Sequence, residues 1–111
     1  MSMRVTREQA GDAVVMAVQG NVDIHSSPEL RGELKVVLES AAPRIVVDME
    51  GVSFVDSSGL ATLIEALQQV NRYSGRLILC NLSKAVLGVF QLANLDRIFQ
   101  IRESREAALT D

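Results

Sequence analysis

Hydrophobic and polar positions change period several times along the chain, and each change marks an element. Arg4-Val5-Thr6-Arg7 alternates, Glu8 to Asp12 is polar and contains Gly11, and Ala13-Val14-Val15-Met16-Ala17-Val18 is rich in β-branched residues. Two such runs around a glycine-containing loop predict a β-hairpin. Gly20-Asn21-Val22-Asp23 breaks the second strand, and Ser26-Ser27-Pro28-Glu29 carries the signals of a helix start. Either Ser26 caps with Glu29 as its capping-box partner, or Ser27 caps with Pro28 at the first helical position. Leu30, Leu34, Val37 and Leu38 then recur at helical spacing as one buried stripe, and Pro43 ends the helix.

Ile45-Val46-Val47 is a continuous β-branched run, the pattern of a strand covered on both faces. Asp48 to Val55 continues in extended or irregular form into Asp56-Ser57-Ser58-Gly59. The following helix places Leu60, Leu63, Ile64, Leu67 and Val70 on one face and Glu65, Gln68, Gln69 and Arg72 on the other, and Gly75 stops it. Leu77-Ile78-Leu79-Cys80 is a second buried strand. Ser83 caps a third helix through about Ala93, with Asn94 as a left-handed stop. Ile98-Phe99-Gln100-Ile101 reads as a last short strand and Ser104 to Leu109 as a terminal helix. The order β-β-α-β-α-β-α-β-α predicts an α/β fold: a mixed β-sheet with an opening antiparallel hairpin, remaining strands largely parallel, packed with about four α-helices. Function in such sheets collects in loops at the carboxyl ends of strands, where the loops of Asp23 and Asp56 fall.

A chain of 111 residues predicts one domain, residues 1–111. With 48% apolar and 23% charged residues it is an ordinary globular composition, which excludes a disordered tail, a collagen-like chain and a coiled coil. The longest apolar runs, such as Ala13 to Val18, are too short for a bilayer, so no membrane insertion is expected. With no basic, apolar secretion signal at the N-terminus, the expected compartment is the cytoplasm. The single cysteine, Cys80, excludes an intramolecular disulfide. Net charge is −3, basic residues are scattered, and Phe54, Phe90, Phe99 and Tyr73 are the whole aromatic inventory. Nucleic-acid binding runs on phosphate neutralisation and base stacking, so no nucleic-acid partner is expected.

Little in the sequence supports catalysis or metal binding. His25 and Cys80 stand alone, without the spacing of a zinc site, so no metal and no cofactor are expected. His25 reads as a solvated loop residue and Cys80 as a buried, inert thiol. Ser58 lacks a Gly-x-Ser-x-Gly elbow, and His25 and Asp23 are only generic partners for it. Gly51 to Gly59 has no lysine for a phosphate cradle. The Asp56-Ser57-Ser58-Gly59 turn has two readings. As a helix start, Asp56 or Ser57 accepts backbone N–H bonds. As a phosphoacceptor, a first-turn serine offers its hydroxyl beside the positive end of the helix dipole, where an added phosphate spares the fold while disturbing a docked partner. The two readings are compatible.

Val55-Asp56-Ser57-Ser58-Gly59-Leu60, preceded by Ile45-Val46-Val47-Asp48, resembles the signature of bacterial anti-sigma factor antagonists, which are stand-alone STAS domains. Gly20-Asn21-Val22-Asp23 is similar to the family's Gly-x-x-Asp after the second strand. Leu77 to Cys80 followed by Ser83, Val86, Phe90 and Leu95 also follows the family pattern, so the resemblance spans nearly the whole chain. Ala61 departs from a common glycine, and Leu87-Gly88 from common polar residues. The resemblance implies a STAS-like fold and a partner switch rather than an enzyme. The unphosphorylated antagonist binds an anti-sigma factor serine kinase and frees the sigma factor. The kinase then uses ATP to phosphorylate the serine before the glycine, and a serine phosphatase resets the cycle. Carried onto this chain, the phosphoacceptor is Ser58 with Ser57 as fallback, and Asp23, Asp56, Ser57 and Gly59 belong to the partner-binding surface.

Val86, Leu87, Val89, Phe90 and Leu92 cover more than one face of the third helix. Burial accounts for most of such a helix, and Leu87 is a further candidate for partner binding. STAS domains also serve as subunits of lipid-transport ABC systems and of stress-signalling or chemosensory complexes, which are the alternatives on the same fold. A small-ligand receptor or enzyme is a more distant one.

Overall fold

The structure, a computed structural model, describes residues 3–111. β1 (Arg4–Ala10) and β2 (Ala13–Gln19) form the antiparallel hairpin. α1 (Ser27–Glu39), β3 (Arg44–Gly51), α2 (Ser57–Arg72), β4 (Arg76–Cys80), α3 (Lys84–Leu92), β5 (Gln100–Arg102) and α4 (Arg105–Thr110) follow, with a short 3-10 turn at Leu95–Arg97. The five strands lie in the order β1-β2-β3-β4-β5, and every pairing after the hairpin is parallel. The fold is the mixed sheet that the sequence pattern predicts.

Alternation along β3 divides the molecule into two apolar layers. Ile45, Val47 and Met49 face the larger one, with Leu30, Leu34, Val37 and Leu38 of α1, Leu63, Ala66 and Val70 of α2, and Val86 and Phe90 of α3. Val46 faces the other, where Val15, Ile78 and Cys80 are covered by Ala108 of α4. That is why Ile45-Val46-Val47 is apolar without a break: both faces of a central parallel strand are covered. Among the described residues no helix is long and apolar enough to cross a membrane.

Several boundaries differ from the sequence reading, each for a local reason. β1 runs on through Glu8 and Gln9, which the polar pattern assigns to a loop. It is an edge strand whose residues are mostly exposed, so polar side chains cost it nothing. The turn shrinks to Gly11 and Asp12, with Gly11 at φ +63°. Ser26 takes the cap position of α1 but makes no capping bond. Its hydroxyl donates to the Asn21 carbonyl at 2.7 Å and accepts from the Asp23 N–H at 2.9 Å, so it braces the preceding loop instead. On α2 the buried face is Gly59, Thr62, Leu63, Ala66 and Val70, while Leu60, Ile64 and Leu67 are half-buried. The small residues face inward because α1 crosses close to α2 there. The last strand starts later than expected. The Leu95 carbonyl accepts from the N–H groups of both Ile98 and Phe99, which closes a helical turn and swings Phe99 edge-on against Phe90, 5.6 Å between ring centres.

One buried carboxylate ties the back layer together. Asp48 accepts from Asn81 Nδ2 at 3.0 Å and from Arg105 Nε and Nη2 at 3.1 and 2.9 Å, and Arg105 also pairs with Glu8 at 2.8 Å. Burial pushes the Asp48 carboxyl up, but the bonds from Asn81, the Glu50 N–H and Arg105 outweigh it and leave it below its ordinary range. A lowered folded-state value stabilises the fold above the ordinary carboxylate range, and that contribution is lost as pH falls through the folded-state value. Arg105→Ala therefore costs about 1–3 kcal/mol near neutral pH, the lower part of the range for a pair with one half-exposed partner. In urea unfolding across a pH series, the variant loses less stability than the parent as pH drops below about 4. Parallel pH profiles would refute this account of Asp48.

Candidate functional site

Parallel pairing of β2 with β3 brings their carboxyl-end loops side by side, although residues 20–26 and 52–56 are distant in sequence. The two loops continue the ladder beyond the strands. Gly20 N–H donates to the Gly51 carbonyl at 2.9 Å, Val22 N–H to the Phe54 carbonyl at 2.9 Å, and Asp56 N–H to the Val22 carbonyl at 3.1 Å, which makes Val22 and Val55 a parallel bridge pair. Ser53 Oγ adds a bond to Asn21 Oδ1 at 3.0 Å. Loops held this way form a firm face rather than a pair of loose tips.

Asp56 is the N-cap of α2, and its carboxylate reaches both loops. Oδ1 accepts from the N–H groups of Ser58 and Gly59 at 2.9 and 3.2 Å and from Ser58 Oγ at 2.6 Å, while Oδ2 accepts from Ile24 N–H at 3.1 Å. The Ser58 hydroxyl, then the Gly59, Ser58 and Ile24 N–H groups, hold its carboxyl below the ordinary range against a smaller push from burial. Asp56 is thus the cap, as one of the two sequence readings has it, and Ser57 is not. Ser57 lies exposed at the first helical position and Ser58 is half-buried beside it. Of the two serines, only Ser58 has its hydroxyl oriented by a hydrogen bond to the Asp56 carboxylate.

Gly59 has a packing reason. A Cβ there would stand 2.8 Å from Val22 Cγ1, 2.9 Å from the Val22 carbonyl oxygen and 3.0 Å from Val55 Cγ1. The first turn of α2 sits against the β2–α1 loop, and only a residue without a side chain lets it. Thr62, one turn further, is buried. Its Oγ1 donates to the Ser58 carbonyl at 2.9 Å and accepts from Arg31 Nη2 of α1 at 3.4 Å.

Asp23 stands on the same face and turns its own loop. Its Oδ1 accepts from His25 N–H at 2.9 Å and Ser26 N–H at 3.1 Å. The structure therefore gathers Asp23, Asp56, Ser57, Ser58 and Gly59. It does not gather Leu87, which is half-buried on α3 and lines a separate hollow of about 240 Å³ with Leu82, Ile101, Arg102 and Glu103. Among the described residues Asp23, His25 and Ser58 form no relay: Asp23 bonds the backbone of His25, and Ser58 Oγ donates to Asp56. His25 is exposed. Cys80 is free and buried, its thiol pushed up to about 11 chiefly by burial, then by the Asp48 charge.

Two residues of this face escape the sequence reading. Ile24 and Phe54 are exposed large apolar side chains, one on each loop. Period counting overlooks them because they belong to no strand or helix. The available signal is an apolar residue placed directly beside or near an acidic loop position, Ile24 after Asp23 and Phe54 two before Asp56.

The STAS domain family model matches residues 4–108. The chain is similar to the anti-sigma-B factor antagonist of Bacillus subtilis, 28% identical over 98% of this chain and 99% of the relative. It is similar to the anti-sigma F factor antagonist of Lysinibacillus sphaericus, 32% identical over 82% of this chain and 75% of the relative. Among solved structures it is similar to the Bacillus cell fate determinant SpoIIAA in the phosphorylated form, with a TM-score of 0.72 and 26% identity over 94% of this chain and 96% of that one.

The packing around Gly59 gives a signed pair of outcomes. Gly59→Ala lowers stability by about 1–3 kcal/mol, because the added methyl has backbone and branched carbons in its way. Gly88→Ala, in a helix position with nothing within 4 Å, raises stability by about 0.5–1 kcal/mol. Urea denaturation of both variants checks the signs; a neutral Gly59→Ala would mean that the α2 turn and the β2–α1 loop do not meet as described.

Proposed function

The chain belongs to the STAS domain family and to its anti-sigma factor antagonists, and from that membership we propose that it is a partner switch written and erased at Ser58. In its unphosphorylated form it binds an anti-sigma factor that is also a serine kinase, and so frees the sigma factor. The kinase transfers the γ-phosphoryl group of ATP to Ser58 Oγ. An O–P bond forms at Ser58, the bond to ADP breaks, and the hydroxyl proton is lost. The phosphorylated chain lets go, and a serine phosphatase hydrolyses the ester and restores the docking face. The chain is a substrate and a binding module in this cycle, and it works in the cytoplasm, where a sigma factor works.

One observation carries the reading: Ser58 Oγ lies 2.6 Å from Asp56 Oδ1 at the start of a 16-residue helix, on a face built from two loops. Phosphorylation removes the hydrogen of that bond and sets about 1.5 to 2 negative charges beside the carboxylate. Free in water the cost is modest, since two unit charges 4 Å apart repel by about 1 kcal/mol in bulk water. Under a docked partner the effective dielectric falls, and the same pair costs about 4 kcal/mol at an effective dielectric constant of 20. Every 1.4 kcal/mol is about tenfold in affinity. The same phosphate therefore leaves the free fold standing, helped by the positive end of the α2 dipole, and breaks the complex. Asp23, Asp56, Ser57 and Gly59 frame the docking surface, and Ser57 is the second-choice acceptor.

The test pairs chemistry with binding. Each anti-sigma factor encoded in the same genome is purified and incubated with the chain and ATP, and phosphopeptides are mapped by mass spectrometry. The phosphoryl group appears on Ser58 and is absent from Ser58→Ala. Ser58→Ala stays bound to the kinase, while Ser58→Asp binds at least tenfold more weakly. Equal binding by the two variants would falsify the switch.

A further inference from the structure

Ile24 is 67% exposed and Phe54 50% exposed, and both stand on the two loops that frame Ser58. Scattered exposed apolar residues are ordinary. These two are different in their place: the carbonyl of Phe54 accepts from Val22 N–H, and Ile24 N–H donates to the same Asp56 carboxylate that accepts from Ser58 Oγ. Their backbones are held before any partner arrives, so little ordering cost attends docking. The same loops carry two carboxylates, Asp23 and Asp56, each held by backbone N–H groups rather than by a cation. Among the described residues neither Asp23 nor Asp56 forms an ion pair, whereas Asp48 and Asp111 both do.

An apolar pair inside an acidic rim specifies the chemistry of what covers it. We propose that Ile24 and Phe54 are the anchors through which this chain docks its anti-sigma factor, and that the matching surface of that factor is an apolar pocket edged with arginine or lysine. The inference rests on the partner-switch reading and names the residues that carry its affinity. Ser58 supplies the control and the apolar pair supplies the grip. Burial of an aromatic and a branched aliphatic side chain at the centre of an interface is where binding energy concentrates, with charged pairs at the rim setting the approach rate and its salt dependence.

The experiment measures binding of the full chain to each purified anti-sigma factor by calorimetry, with Ile24→Ser, Phe54→Ser, the double variant and Leu92→Ser. Leu92 is the internal control, 89% exposed at the end of α3. Ile24→Ser and Phe54→Ser each weaken binding at least tenfold and the double variant at least a hundredfold. Leu92→Ser binds as the parent does. Melting temperatures stay within about 3 °C of the parent, as expected for exposed positions. Raising salt from 50 to 500 mM weakens the parent complex. If the parent binds and the double variant binds as tightly, the anchors are refuted while the partner switch stands. If affinity does not respond to salt, the cationic rim is refuted. If the parent and Ser58→Ala bind none of the anti-sigma factors, the partner switch itself fails and the anchors fail with it.

Discussion

The Asp56 carboxylate accepts hydrogen bonds from Ser58 N–H, Ser58 Oγ, Gly59 N–H and Ile24 N–H. Through them one side chain starts a helix, orients the hydroxyl at its first turn and fastens the neighbouring loop. A cap of this kind is worth about 1 kcal/mol to a helix. Its larger consequence is geometric. Any charge added at Ser58 Oγ arrives beside the group that also holds Ile24, so the chemistry of one residue is felt by the whole face.

That coupling is possible because the fold sets two parallel strands next to each other with their carboxyl ends level. β2 and β3 pair, their loops emerge together, and the Val22–Val55 bridge extends the pairing past the sheet. Gly59 lets the α2 turn approach closely enough for Asp56 to reach across. Val22 and Val55 anchor the two loops in the apolar layer under α1, α2 and α3, while Asp56 and Ser58 stand outside that layer and apart from the Asp48–Arg105 connection under α4. A face that is held by hydrogen bonds at the end of the sheet can change its charge without disturbing the packing that keeps the protein folded. That separation is what a reversible covalent switch requires.

The energetics of such a switch depend on water. Exposed, the Ser58–Asp56 pair is screened, and a phosphate there is tolerable. Under a partner that covers Ile24 and Phe54, as proposed, the same charges would meet in a drier medium and repel several-fold more strongly. The apolar side chains and the acidic ones therefore act together: one group excludes the water that would otherwise blunt the other. Family membership gives the biological setting in anti-sigma factor antagonism.

Period and punctuation in the sequence determined the elements and their order. The stripe of Leu30, Leu34, Val37 and Leu38, the cap Ser83, the left-handed Asn94 and the unbroken Ile45-Val46-Val47 all read correctly, because each is dictated by contacts within a few residues or by burial on both faces. Asp56-Ser57-Ser58-Gly59 was legible as a helix start for the same reason. The edge strand β1 was shortened because exposure removes the apolar signal, and β5 was misplaced because a tertiary contact, Phe99 on Phe90, outweighed local strand preference. Which loops share a face, why Gly59 must be glycine, and that Ile24 and Phe54 lie exposed on the two loops that frame Ser58 were decided only when the sheet was assembled. Those facts depend on hydrogen bonds between residues more than thirty apart in the chain, such as Ile24 to Asp56, and no local pattern encodes a partner at that distance.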